Sequence, residues 1–257
     1  MLAANGVSYR VAKLQSTIRK DHFCRGKFYE FLGVAPSHAI EISNRLLRHA
    51  EVCDRFKKSS SNRIARHRWI VRLAEETAWW ICDDWIEGKT LSSHLTVDTR
   101  FSLSQIKSIG TEILLALDEL HQNKIVFREL TPDQIYLSDG FKNCTLTDFE
   151  LAKVLLDVPT VSGPWLTRNP YRAPEHVEKN RINWANYAGT DIYSWGAIMI
   201  ELLTGNPEAE SEELSVNLTD KKLVEFLLGC RNPVFTQRPE TVQKVLEVWN
   251  QWPAKKK

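Results

Sequence analysis

The chain predicts an α+β fold in which a small, strand-rich first part precedes a larger, mostly helical second part. Three observations predict it. Short segments rich in alternating apolar residues, Ser8 to Leu14, Ile70 to Leu73 and Trp79 to Ile86, fall before the hinge-like turn at Gly88. One helix-period segment, from Ser37 to about Phe56, is set among them. Beyond it the pattern turns helical, first from Phe101 to His121 and again from Thr190 to Gly205. A length of 257 residues is ample for a buried core.

Taken in order, Ser8 to Leu14 alternates as a strand with Gly6 the sole glycine upstream, and residues 21–36 read as irregular. Ser37 is a plausible N-cap for the next helix, whose apolar spacing runs through Ile40, Leu46, Leu47 and Phe56. Nine Lys or Arg between Arg45 and Arg72 face only Glu51 and Asp54, a local excess of +7 against +2 for the whole chain. Interleaved along a helix and loop, such a cluster reads as a solvated face, so nucleic acid is not the expected partner. Ile70–Leu73 and Trp79–Ile86 form a hairpin. The helix from Phe101 is capped by Ser102 or Ser104 and buries Ile106, Ile109, Ile113, Leu117 and Leu120. Gly205 to Asp220 reads as an acidic loop carrying Glu208, Glu210, Glu212 and Glu213. The five cysteines lack C-x-x-C spacing, which argues against a zinc site and fits a reducing, cytoplasmic setting. No apolar run is long enough to span a bilayer.

The stretch Ile125-Val126-Phe127-Arg128-Glu129-Leu130-Thr131-Pro132-Asp133-Gln134, followed by Leu146-Thr147-Asp148-Phe149-Glu150, carries the functional information. It resembles the catalytic and metal-binding loops of eukaryotic-like protein kinases, whose pattern reads His-Arg-Asp-Leu-Lys-Pro-Glu-Asn and then Asp-Phe-Gly. Ala173-Pro174-Glu175, Asp191 with Trp195-Gly196, and Arg238 resemble the scaffold motifs of the same family. The resemblance implies a two-lobed fold with a small β-rich N-lobe, residues 1–88, and a helical C-lobe, residues 89–257. It also implies that Asp191 caps the catalytic-loop backbone and that Arg238 pairs with Glu175.

In that family, phosphoryl transfer rests on positioning and charge neutralisation. The catalytic Asp position here holds Glu129, one methylene longer, and a displacement of about 1 Å can cost roughly 10²-fold in rate. Thr131 replaces the catalytic-loop Lys. Gln134 stands at the metal-binding Asn, while Asp148 is kept as a metal ligand. Glu150 replaces the last glycine of Asp-Phe-Gly and brings a carboxylate to the phosphate region. Lys13 falls at the phosphate-pairing lysine, with Glu51 or Glu41 as its partner. Asp83, or Asp84 with a one-residue shift, lines the back of the adenine pocket, where a buried carboxylate needs a partner. Tyr136 lies beneath the adenine and narrows the pocket. The glycine-rich loop is absent, and the N-lobe is correspondingly reduced. Thr160, Ser162 and Thr167 are candidate phosphosites.

These readings combine into a pseudokinase that works as a regulatory or scaffold module through a protein partner, with no resident cofactor expected. The alternative is a divergent ATP- and Mg²⁺-dependent Ser/Thr kinase, with Glu129 as base, Asp148 and Gln134 as metal ligands and Lys13 as phosphate anchor. A kinase-fold enzyme transferring another part of the nucleotide is a third reading.

Overall fold

The N-terminal sheet is built from four antiparallel strands whose inner face carries large side chains. Strands β1 (Tyr9–Gln15), β2 (Phe23–Glu30), β3 (His67–Arg72) and β4 (Ala78–Asp84) lie in the order β1-β2-β4-β3. The computed structural model describes residues 9–73, 77–96, 100–155, 169–176 and 187–252. Helix α1 (Pro36–Arg55) packs on the sheet, and Tyr29, Phe31, Ile42, Leu46, Trp79 and Ile81 form the core between them.

Two sequence expectations change here. Residues 21–36 are not irregular, because they contain β2. Its period is hidden since the inward positions are Arg25, Lys27 and Tyr29, and a strand that buries charge shows no apolar alternation. The helix starts at Pro36 with Ala35 as N-cap and no side-chain cap, so Ser37 does not cap it. Its inward face is Ile42, Leu46, His49, Ala50, Val52 and Cys53, whereas Ile40 and Leu47 point to solvent.

After the turn at Gly88, β5 (Lys89–Thr90) and α2 (Leu91–His94) lead to α3 (Leu103–Gln122). Gly88 sits at φ +103°, and a Cβ there would collide with the Leu137 carbonyl, so only glycine fits. Ser102 caps α3 in a reciprocal box with Gln105. Short strands follow: β6 (Ile125–Val126), β7 (Ile135–Leu137), β8 (Cys144–Leu146) and β9 (Lys153–Val154). They pair as β5-β7-β8 and β6-β9. Helices α4 (Ala188–Thr204), α5 (Ser211–Asn217), α6 (Lys221–Cys230) and α7 (Val242–Gln251) complete the fold.

The second, larger core joins α3 and α4 to α7, with Trp195 and Trp249 edge to face at 5.0 Å. The acidic stretch expected to be a loop contains α5, whose first turn holds Glu212 and Glu213 where the helix dipole favours anions. The basic stretch is partly neutralised locally: Arg48 and Arg55 pair with Glu51, Arg45 with Glu41 and Arg63 with Glu112. Among the described residues no helix is long and apolar enough to cross a membrane.

Candidate functional site

The site is assembled where β2 faces the turn after β8. Alternation along a strand puts residues 25, 27 and 29 on one face. Arg25 donates from Nη1 and Nη2 to Asp148 Oδ1 and Oδ2 at 2.8 and 3.0 Å. Lys27 Nζ lies 2.9 Å from Asp148 Oδ1 and 2.9 Å from Glu150 Oε1, and the Tyr29 hydroxyl donates to the same Glu150 oxygen at 2.7 Å. Asp148 is held in the left-handed region at φ 62°, which aims its carboxylate at both cations.

Burial alone would raise the Asp148 carboxyl, but Arg25 and Lys27 outweigh it and hold the group far below the ordinary carboxylate range. Burial opposes charge on Lys27 as well, yet Asp148 and Glu150 keep it cationic with a raised pKa. The bidentate Arg25 fork is the stronger geometry, and its guanidinium also stands 5.7 Å from the Tyr136 ring centroid. The region where the resemblance implies adenine and phosphates thus contains side chains of this chain, clasped to each other.

Behind this cluster Asp83 is buried with the partners its burial requires. His49 Nε2 is 3.0 Å from Asp83 Oδ1, His67 Nδ1 is 3.2 Å from the same oxygen, and Arg25 Nη1 is 3.7 Å from Oδ2. Burial would raise this carboxyl, but His49 leads the groups that bring it below the ordinary range. Asp84 lies nearer the surface, paired with Arg68.

The catalytic-loop positions are also occupied. Asp191 accepts from the backbone N–H groups of Phe127 and Arg128 at 2.9 and 2.7 Å and from His121 Nε2 at 2.7 Å, as the motif implied. Arg238 forms a two-pronged pair with Glu175 at 2.7 and 2.8 Å. Glu129 is buried in an ion pair with Arg172, so its carboxylate is engaged. Gln134 Oε1 accepts from Thr131 N at 2.8 Å and Thr131 Oγ1 at 3.2 Å. That reciprocal cap holds the loop through Thr131 and Gln134; Gln134 Nε2 reaches only the Asp148 main-chain oxygen, at 3.4 Å.

Two expected site residues are elsewhere. Lys13 is exposed on β1, its Nζ 4.3 and 4.2 Å from the ring centroids of Phe23 and Trp85, because that strand precedes the one facing Asp148. Lys27 takes the place assigned to it. Glu51 pairs with Arg48 and Arg55, and Glu41 with Arg45, all on α1, so neither meets a site lysine. Arg25, Lys27, His49 and His67 carry no motif in the sequence, and the one signal there is the three-residue alternation Arg25, Lys27, Tyr29. Gly6, Thr160, Ser162 and Thr167 lie outside the described residues.

A nucleotide with Mg²⁺ does not fit these residues as they stand. Both Asp148 oxygens accept from Arg25, and Gln134 Oε1 from Thr131. Glu150 adds negative charge where phosphates would lie, and Arg25 takes up pocket space.

The sequence model described as "Protein kinase domain" matches residues 40–252. Among curated relatives, a RAC family serine/threonine-protein kinase homolog of Dictyostelium discoideum is 28% identical over 195 residues, 74% of this chain and 41% of its own length. Ribosomal protein S6 kinase 2 beta of Xenopus laevis is 28% identical over 204 residues, 76% of this chain and 32% of that protein. The chain therefore spans well under half the length of these relatives. A solved structure of the PknI kinase domain from Mycobacterium tuberculosis matches with TM-score 0.70 at 18% identity, covering 98% of this chain and 92% of that one, which shows the fold.

Proposed function

The chain belongs to the protein kinase domain family, and from that premise we propose that it is a pseudokinase acting as a protein-binding regulatory or scaffold module. The observation that carries the reading is the Arg25 fork on Asp148, which directs the one retained metal ligand inward to a guanidinium. The Glu129 to Arg172 pair and the Thr131 to Gln134 cap support it, since each gives a changed catalytic letter a structural partner. A scaffold needs the large-lobe frame and not the chemistry, and the Asp191 and Glu175–Arg238 anchors keep that frame.

The test is a thermal-shift titration with ATP, alone and with Mg²⁺ or Mn²⁺, since a ligand that binds the folded state raises its melting temperature. No shift at millimolar ATP is expected. A metal-dependent shift that disappears in Asp148→Ala, together with phosphate transfer, would overturn the reading. One observation favours the second reading, a divergent Ser/Thr kinase: Lys27 and Asp148 are already paired at 2.9 Å, the lysine and aspartate that phosphate and metal binding use in active relatives. Under it, swinging Arg25 away would restore part of a nucleotide site, and Glu129→Asp would raise transfer measurably. The candidate partner is a protein, and affinity capture followed by a cross-linking map onto the large lobe would identify it.

A further inference from the structure

Behind the ion cluster runs a hydrogen-bonded chain that the readings above do not use. The Phe149 N–H donates to His49 Nδ1 at 3.1 Å. A nitrogen that accepts cannot carry the proton, so neutral His49 holds it on Nε2 and donates to Asp83 at 3.0 Å. His67 donates to the same carboxylate at 3.2 Å, and the His49 ring stacks on Phe149 with centroids 5.9 Å apart.

The side-chain donors of His49, His67 and Asp83 lie within 4.8 Å of one another, a spacing a metal ion could use. Coordination through His49 Nε2 needs a lone pair there, however, and a neutral imidazole has one, already given to the Phe149 N–H. The cluster is built for a proton.

We propose that His49 is a proton-operated latch on the Asp148–Glu150 turn: singly protonated it holds the Phe149 amide to α1, and doubly protonated it sets N–H against N–H and releases the turn. The latch operates whether or not the chain transfers phosphate. The groups facing His49 are Cys53 on α1, with Sγ 3.7 Å from Nε2, His67 on β3, Asp83 on β4, and Arg25 and Asp148 beyond it. The Cys53 thiol stays neutral, because burial pushes it up. Burial disfavours charge on His49, but Asp83 outweighs it and draws the second proton in. Two neighbours thus make opposite demands on one ring: Asp83 favours the imidazolium and the Phe149 N–H favours the neutral form. Without the opposing N–H the released state binds the second proton more tightly, so acid shifts the population toward release.

The experiment uses the whole chain with ¹⁵N-labelled histidine and main-chain amides, followed by NMR and hydrogen exchange from about pH 10 to about pH 5, a range that begins well above ordinary histidine titration because Asp83 raises His49. Expected are a neutral His49 protonated on Nε2 at the high end, and a fall of at least about tenfold in Phe149 amide protection, corrected for intrinsic exchange, as the imidazolium appears. His49→Gln should remove the pH dependence. The proposal fails if the imidazolium forms with the Phe149 amide still protected, or if His49→Gln keeps the same pH-dependent release. Should that variant not fold, the tautomer and protection data on the natural chain decide alone.

Discussion

Arg25 shows how one side chain can decide what a conserved-looking site does. Its guanidinium is a buried cation that answers Asp148 and Asp83 together. Arg25→Ala should therefore have two effects. Leaving a buried carboxylate with one partner fewer is expected to cost about 3–5 kcal/mol, read as a lowered urea midpoint. On the reading proposed above, the vacated space should also give millimolar Mg²⁺-ATP a thermal shift larger than that of the natural chain. A destabilised variant with no shift would mean that Glu150 and Gln134 exclude the nucleotide by themselves. The same cluster sets the acid limit of stability. Asp148 and Asp83 are both depressed in the folded state, so their stabilisation is complete above the unfolded carboxylate pKa of about 3.9 and is lost as pH falls below it. Each adds a slope of up to about 1.4 kcal/mol per pH unit in that window. Stability measured by urea unfolding from about pH 5 downward should fall steeply, and Asp148→Asn should flatten the curve.

Among elements, helices and sheets were legible to different degrees. Helix α3 could be read because its buried residues keep a helical period and its Ser102 cap has Gln105 three residues on. Asp191 and the Glu175–Arg238 pair were legible because short motifs carry them at fixed places in the family frame. Strand β2 was not, because a strand that turns Arg25 and Lys27 inward looks like a polar loop until the carboxylates opposite are known. Lys13, by contrast, sits in a segment that does alternate, so the sequence pattern points to β1 and away from Lys27 of β2. Glu129, Thr131, Gln134 and Glu150 stand out in the sequence as altered letters, but Arg172 and Lys27, the partners of Glu129 and Glu150, come from distant positions that spacing alone does not connect. Packing in the large lobe gives an element-scale prediction. A Cβ on Gly110 of α3 would lie 2.7 Å from both Met199 Sδ on α4 and Trp249 Cζ2 on α7. Gly110→Ala gains helix propensity of about 1 kcal/mol, but it must push apart three packed helices at a cost of about 1–3 kcal/mol. Denaturant unfolding should show a lowered midpoint, where an exposed helical glycine would show a raised one.

For the whole molecule, the ion cluster is a joint between two separate cores. The small core holds Tyr29, Phe31, Ile42, Leu46, Trp79 and Ile81 between α1 and its sheet, and the large one centres on α3, α4 and Trp195. In kinases a bound nucleotide and metal help bridge that interface; in this chain Arg25 and Lys27 also bridge it to Asp148 and Glu150. The bridge is assembled from charges that stay buried only while both sides are in place, so it couples opening of the small lobe to opening of the turn. Asp148→Ala should break that coupling, because it leaves Arg25 and Lys27 unanswered on the small-lobe side and removes nothing from the α3–α4–α7 core. The natural chain is expected to unfold in urea with coincident tryptophan-fluorescence and helix-dichroism transitions. In Asp148→Ala, exchange protection should fall first in β2 and α1, the two transitions should separate, and α3 and α4 should keep protection close to that of the natural chain. Uniform loss of protection across both lobes would mean that the apolar contacts between α1 and the Phe149 turn, and not the buried charges, hold the lobes together.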